Sequence, residues 1–242
     1  MWLSTPHAAD FISTLSRPRP FSPLPATRCT WKYSLMTIDN DAANLLALMD
    51  SHGIDASTEL SRGWDHIGAI IVDAALQRRQ NYHATVRPRV LALVAAWPDA
   101  ATTSGFRRRL DTGKLSDVIS WPSPGRLSQV EDMMCVFERE GIETVMELRG
   151  TLGDQARRGA LREALGLVRH VGPKTLDYID ILSGISTGVA VDVRIRRVVQ
   201  AAGIEDLSYG HIAAVVRAAA AGRGWRAGDL DAALWQFGAH RA

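Results

Sequence analysis

The sequence predicts an all-α protein, on two observations. Apolar residues recur at helical spacing over most of the chain, and nowhere do apolar and polar residues alternate for long enough to make a strand. The nearest approach, VAVDV at 189–193, is short and broken by its aspartate. Taking the elements in order, Ile67, Ile70, Ile71, Ala74 and Ala75 form one apolar face of an amphipathic helix. Val86, Val90, Leu93, Val94 and Trp97 form a second, and Pro98 ends it. Ser128 with Glu131 has the form of a capping box, opening a helix that carries Val130, Met133, Met134 and Phe137. Residues 168–204 read as a helix end, a Gly-containing hairpin, a helix opening at Lys174, a loop, and a helix begun by Asp192 and ended before Gly203. Ser208 caps a helix with Ile212, Val215, Val216 and Ala219, stopped by Gly222; Leu230, Leu234 and Phe237 mark the last one.

Composition narrows the class without naming a function. A chain of 242 residues can bury one large core or two smaller ones, and 46% hydrophobic with 22% charged residues is globular. A net charge of +2 permits nucleic-acid binding without arguing for it. Two cysteines, Cys29 and Cys135, provide neither a four-thiolate cluster nor a zinc site nor a disulfide framework, so a reducing cytoplasm is expected. No apolar run approaches the ~20 residues of a membrane span. Residues 1 to about 36 are rich in Pro, Ser and Arg, with Asp10 their only acid. They read as a disordered basic tail, a transit peptide, or sequence ahead of a true start at Met36; the first and last readings are preferred.

The chemistry concentrates between residues 170 and 194. In Val171-Gly172-Pro173-Lys174-Thr175, Gly172 gives the turn backbone freedom and Pro173 is preset for a first helical turn. The free amides at such a helix start attract an anion, and on a protein surface a nucleic-acid phosphate is the obvious one. The same string also suits a hairpin that merely packs. Taken singly, Lys174 is a surface lysine or a phosphate contact, and Asp192 is a helix cap. An amine and a carboxylate can together break a glycosidic bond, and capping fixes the direction of the carboxylate.

The strings VRHVGPKTL and VAVDVRI resemble the helix-hairpin-helix DNA glycosylase superfamily, the endonuclease III-like group, where LPGVGRKTA leads through a loop to IAVDTHV. The separation, 192 − 174 = 18 residues, is that of the lyase-competent members. GAIIVDAALQRRQNY and LDAALWQFGA extend the likeness more weakly, so that it runs from about residue 40 to the end. His170 departs from it by replacing the hairpin's first glycine, and the loop before Asp192 has Gly184 and Gly188 but no proline. No four-cysteine run follows the last helix, so the resemblance is to cluster-free members, without metal or other cofactor.

This resemblance implies a two-lobed helical fold with the DNA and base cleft between the lobes. Lobe one would span about 63–185, including the hairpin 166–184, and lobe two about 37–62 with 186–242. The implied activity is base-excision repair on double-stranded DNA carrying a lesion or mismatch, by a monomer in the cytoplasm. Lys174 would be the nucleophile and Asp192 the carboxylate; His170, Val171, Gly172, Lys174, Thr175, Gln77 and Arg194 would touch DNA. A lysine nucleophile implies abasic-site lyase activity through a Schiff base. Arg194, Arg196 and Arg197 point in different directions on their helix, so one or two face DNA or all three are a solvated face. Tyr178 is either pocket wall or core, and Trp64, His66, Tyr82 and Trp235 are further pocket candidates. The rival reading is a catalytically silent helix-hairpin-helix DNA-binding protein, which has no use for Asp192 beyond capping; a third is a helical interaction protein with no DNA partner.

Overall fold

The computed structural model describes residues 29–58 and 62–239, with side chains from residue 37 onward. Twelve α-helices occur among them, and no strand. They are α1 (Cys29–His52), α2 (Ile67–Leu76), α3 (Arg87–Ala96), α4 (Thr103–Thr112), α5 (Leu115–Val118), α6 (Pro124–Arg139), α7 (Val145–Gly153), α8 (Gln155–Gly166), α9 (Pro173–Leu182), α10 (Val193–Ala201), α11 (Tyr209–Gly222) and α12 (Ala227–Ala239). A π-helical turn, Tyr82–Val86, leads into α3, and a 3-10 turn, Pro98–Ala101, follows it. The segment read as tail overlaps α1 over residues 29–36; residues 1–28 of it lie outside the described residues.

Buried apolar side chains form two clusters. The first draws on residues between Ile67 and Leu182 and centres on α2, whose ten residues are all buried. A helix apolar on every side belongs inside a bundle, and α2 is packed by α3, α4, α6 and α9. The second cluster combines α1 with residues 189–234, chiefly α10, α11 and α12. In it α11 lies along α1, and α10 packs on α12. Lys174 therefore starts a helix of the first cluster, and Asp192 starts a helix of the second.

Most helix ends follow the sequence signals. Ser208 accepts from the His211 amide, and α11 ends at Gly222. One signal misleads: α6 does not open at Ser128 but at Pro124, with Ser123 ahead of it. A proline already locked near helical φ starts the helix a turn earlier, and Glu131 instead binds Arg107 at 2.8 Å. The capping box belongs to α7, where Thr144 and Glu147 satisfy each other's backbone amides.

Phe137 is fully buried in the first cluster, whereas Leu167 is 84% exposed. Phe137→Ala is expected to cost about 3–5 kcal/mol in urea denaturation, and Leu167→Ala no more than about 0.5 kcal/mol. Equal effects would mean that the first cluster is not a packed core.

Candidate functional site

The hairpin between α8 and α9 turns through His170, whose φ of 70° lies in the left-handed region. The Val171 amide closes the turn onto Val168 O at 3.0 Å. Expected as a DNA contact, the Val171 amide is thus used inside the hairpin, and its side chain is buried. Gly172 is extended and precedes Pro173 without a side-chain cap. Among the described residues the amides of Gly172, Lys174 and Thr175 have no acceptor, and the Lys174 amine has no ion-pair partner.

Positive charge gathers at this hairpin. His170 is held below its ordinary pKa, first by loss of surrounding water and then by repulsion from Arg78, Arg169 and Arg126. Arg126 reaches from α6 to the carbonyls of Ala75 at 2.6 Å and Arg78 at 3.0 Å, closing the end of α2. Gln77, at that same end, has a buried side-chain nitrogen with no partner. A buried donor left unpaired is uncommon, so Gln77 stays a candidate for a polar contact.

Asp192 caps α10. Its Oδ1 accepts from the amides of Arg194 at 2.8 Å and Ile195 at 3.1 Å. Its Oδ2 accepts from Trp235 Nε1 on α12 at 3.1 Å. The Arg194 guanidinium lies 4.3 Å from the centre of a Trp235 ring. Close approach of the two helices depends on Gly238, where a Cβ would stand 2.9 Å from Arg194 Cβ and 3.1 Å from Arg194 O. The three arginines of α10 separate: Arg194 stacks on Trp235, Arg196 donates to Leu207 O, and Arg197 is exposed.

The sequence reading passed over Asp73, which α2 buries completely. Its Oδ2 accepts from Trp64 Nε1 at 2.9 Å and faces the Tyr82 hydroxyl at 3.5 Å, while Oδ1 accepts from the Tyr178 hydroxyl at 3.1 Å. Burial outweighs these donors and pushes the Asp73 pKa up to about 6. The available signal was one acid inside IGAIIVDAAL, since a charge within an otherwise apolar helix must be met by partners.

Asp73 and its partners lie in the first cluster, and the Tyr82 ring reaches from there to α12. Tyr178 lies four residues beyond Lys174 on α9, and Tyr82 meets the Trp235 ring edge-on at 6.4 Å between centroids. A continuous path of contacts therefore runs from α9 through Tyr178, Asp73, Tyr82 and Trp235 to Asp192. Of the pocket candidates, Trp64, Tyr82 and Trp235 lie on or beside this path. His66 does not: it is buried, accepts from the Ala69 amide and bonds Trp97 O at 3.0 Å, which makes it the cap of α2.

No group of three His, Cys, Asp or Glu among the described residues could hold a metal ion, and no helix there is long and apolar enough to cross a membrane. Residues 124–239 match the model of a domain of unknown function, DUF8548. The match takes in the hairpin, Asp192 and Trp235 and leaves out α2 with Asp73. No curated protein and no solved structure matches the chain.

Because burial raises the Asp73 pKa from 3.8 to about 6, the folded chain binds more protons than the unfolded one across that interval. Its stability contribution is complete below pH 3.8 and is lost as pH rises through about 6. Asp73→Asn does not titrate, so it should gain on the wild type by roughly 2 kcal/mol between about pH 4 and pH 7. Urea titrations across that range measure the difference; a flat one contradicts the raised pKa.

Proposed function

We propose that this protein excises a damaged or mispaired base from double-stranded DNA and cleaves the abasic strand through a Schiff base on Lys174. The observation that carries the reading is the path of contacts linking the Lys174 helix to an oriented Asp192, beside a hairpin with unpaired amides and unpaired cations. The amides of Gly172, Lys174 and Thr175 take a backbone phosphate, with Arg78 and Arg169 adding charge and His170 at the turn itself. Such contacts hold the duplex and read no sequence.

A base within the stack is out of reach, so the nucleotide swings out at a cost of a few kcal/mol. The Lys174 amine then attacks the sugar C1′ through its nitrogen lone pair as the C1′–N bond breaks, and the base leaves with that bond's electron pair and takes a proton from water. Asp192 stabilises the cationic sugar, takes up the proton that the attacking amine loses and passes it to O4′ as the C1′–O4′ bond breaks, which opens the sugar ring and leaves a C1′=N double bond. The resulting Schiff base acidifies the neighbouring C2′ hydrogen, and loss of that proton expels the 3′ phosphate. Trp235 holds Asp192 Oδ2 while the backbone amides hold Oδ1, so the carboxylate meets the sugar already oriented.

One observation favours the silent DNA-binding alternative: two of the three bonds at Asp192 are those of an ordinary helix cap. Borohydride trapping on duplexes carrying uracil, a T:G mismatch, oxidised or alkylated bases, or an abasic site separates the two readings. The wild type should give a covalent adduct that Lys174→Ala loses completely. Asp192→Asn keeps an oxygen for the cap, so its melting temperature should stay within about 3 °C while base release falls by about 100-fold or more. Duplex binding without adduct or base release across the panel would establish the silent module instead.

A further inference from the structure

Between Lys174 and Asp192 runs a segment, 183–191, that joins the two clusters and is fastened from several sides. Gly228 N donates to Ser186 O at 2.7 Å, and Ala190 N donates to Asp231 Oδ1 at 2.8 Å. The other oxygen of buried Asp231 accepts from Arg62 at 2.9 Å. Gly188 lies so close to α9 that a Cβ there would stand 2.7 Å from Asp177 O.

One fastening links α9 to the end of the segment that leads into α10. The Tyr209 hydroxyl, on the first residue of α11, shares its hydrogen between Asp177 Oδ2 at 2.6 Å and Val189 O at 3.0 Å. Asp177 is three residues past Lys174 on α9, and Val189 is three residues before Asp192. Asp177 is itself buried and fixed by Arg162 at 2.8 Å. We propose that Tyr209 is a positioning residue for base excision, a strap that sets Asp192 against Lys174 across the junction. This assignment rests on the base-excision reading.

The physical case is one of distance. Fastening on one side of the junction alone would let α10 shift relative to α9, and an error near 1 Å between reacting groups costs about 100-fold in rate. The Tyr209 hydroxyl bonds to both sides at once. Burial, with Asp177 alongside, raises its pKa far above the ordinary phenol value, so the donor stays protonated through the working pH range. Removing the hydroxyl frees Asp177 Oδ2 and leaves the buried Val189 carbonyl without this partner.

Tyr209→Phe removes the hydroxyl and keeps the ring. Two measurements test it: single-turnover excision at saturating enzyme on whichever panel duplex the wild type processes, and amide hydrogen exchange over 186–195 in the free protein. Expected are a rate at least about tenfold lower, an unchanged duplex Kd, and faster exchange in 186–195 with α6 unchanged. Wild-type excision with an undiminished rate in the variant overturns the assignment, as does unchanged exchange. So does a rate loss matched by weaker duplex binding or by unfolding, which marks a merely structural role. If the wild type itself excises nothing, the base-excision reading falls and the positioning role with it. The wild-type reaction tells that result apart from a failed strap.

Discussion

Buried carboxylates set the register of this bundle. Asp73, Asp177, Asp180 and Asp231 each lie within a helix and are almost fully buried. A carboxylate taken from water is costly unless donors replace the lost hydration. Here those donors come mostly from other elements: Tyr178 for Asp73, Arg162 and Tyr209 for Asp177, Arg158 and Arg162 for Asp180, Arg62 and the Ala190 amide for Asp231. Apolar contacts bring the helices together and tolerate sliding. A buried acid does not, because a small shift leaves a charge without its partner.

This explains what was legible in the sequence. Helix positions follow from apolar spacing, and the Asp192 and Ser208 caps follow from residue type, because both are local effects. The capping box shows the limit of local pattern: Ser128 and Glu131 have the right spacing, but Pro124 starts the helix first. The site was half legible. Lys174, Asp192 and the hairpin stand out in a continuous string, whereas Tyr209 and Asp231 lie far along the chain from what they bond, as Asp73 does from Tyr178. These pairings exist only after the helices dock, although an acid in an apolar run, as in IGAIIVDAAL and again at Asp231 in LDAALW, is the trace the two aspartates leave behind.

The hairpin and the carboxylate ask different things of the fold. For a phosphate, unpaired amides and scattered positive charge suffice, and the arginines around His170 need no fine placement. A carboxylate acting on a sugar carbon must point one way. Asp192, proposed for that role, has both oxygens engaged, one by its own helix and one by the indole of α12. The amides sit on the first cluster and the carboxylate on the second, so relative movement of the two would alter the proposed chemistry before the proposed binding.

Gly238 draws the last consequence. It lies three residues beyond Trp235 on α12 and faces the backbone of Arg194 on α10, with no space for a methyl group. A side chain at 238 would act as a wedge: prising the helices apart there lifts the indole away from Asp192 Oδ2 and carries Arg194 with it. The aim of the carboxylate thus depends on a hydrogen atom at a position that touches neither the acid nor any ligand. Its effect is felt one helical turn away, as leverage.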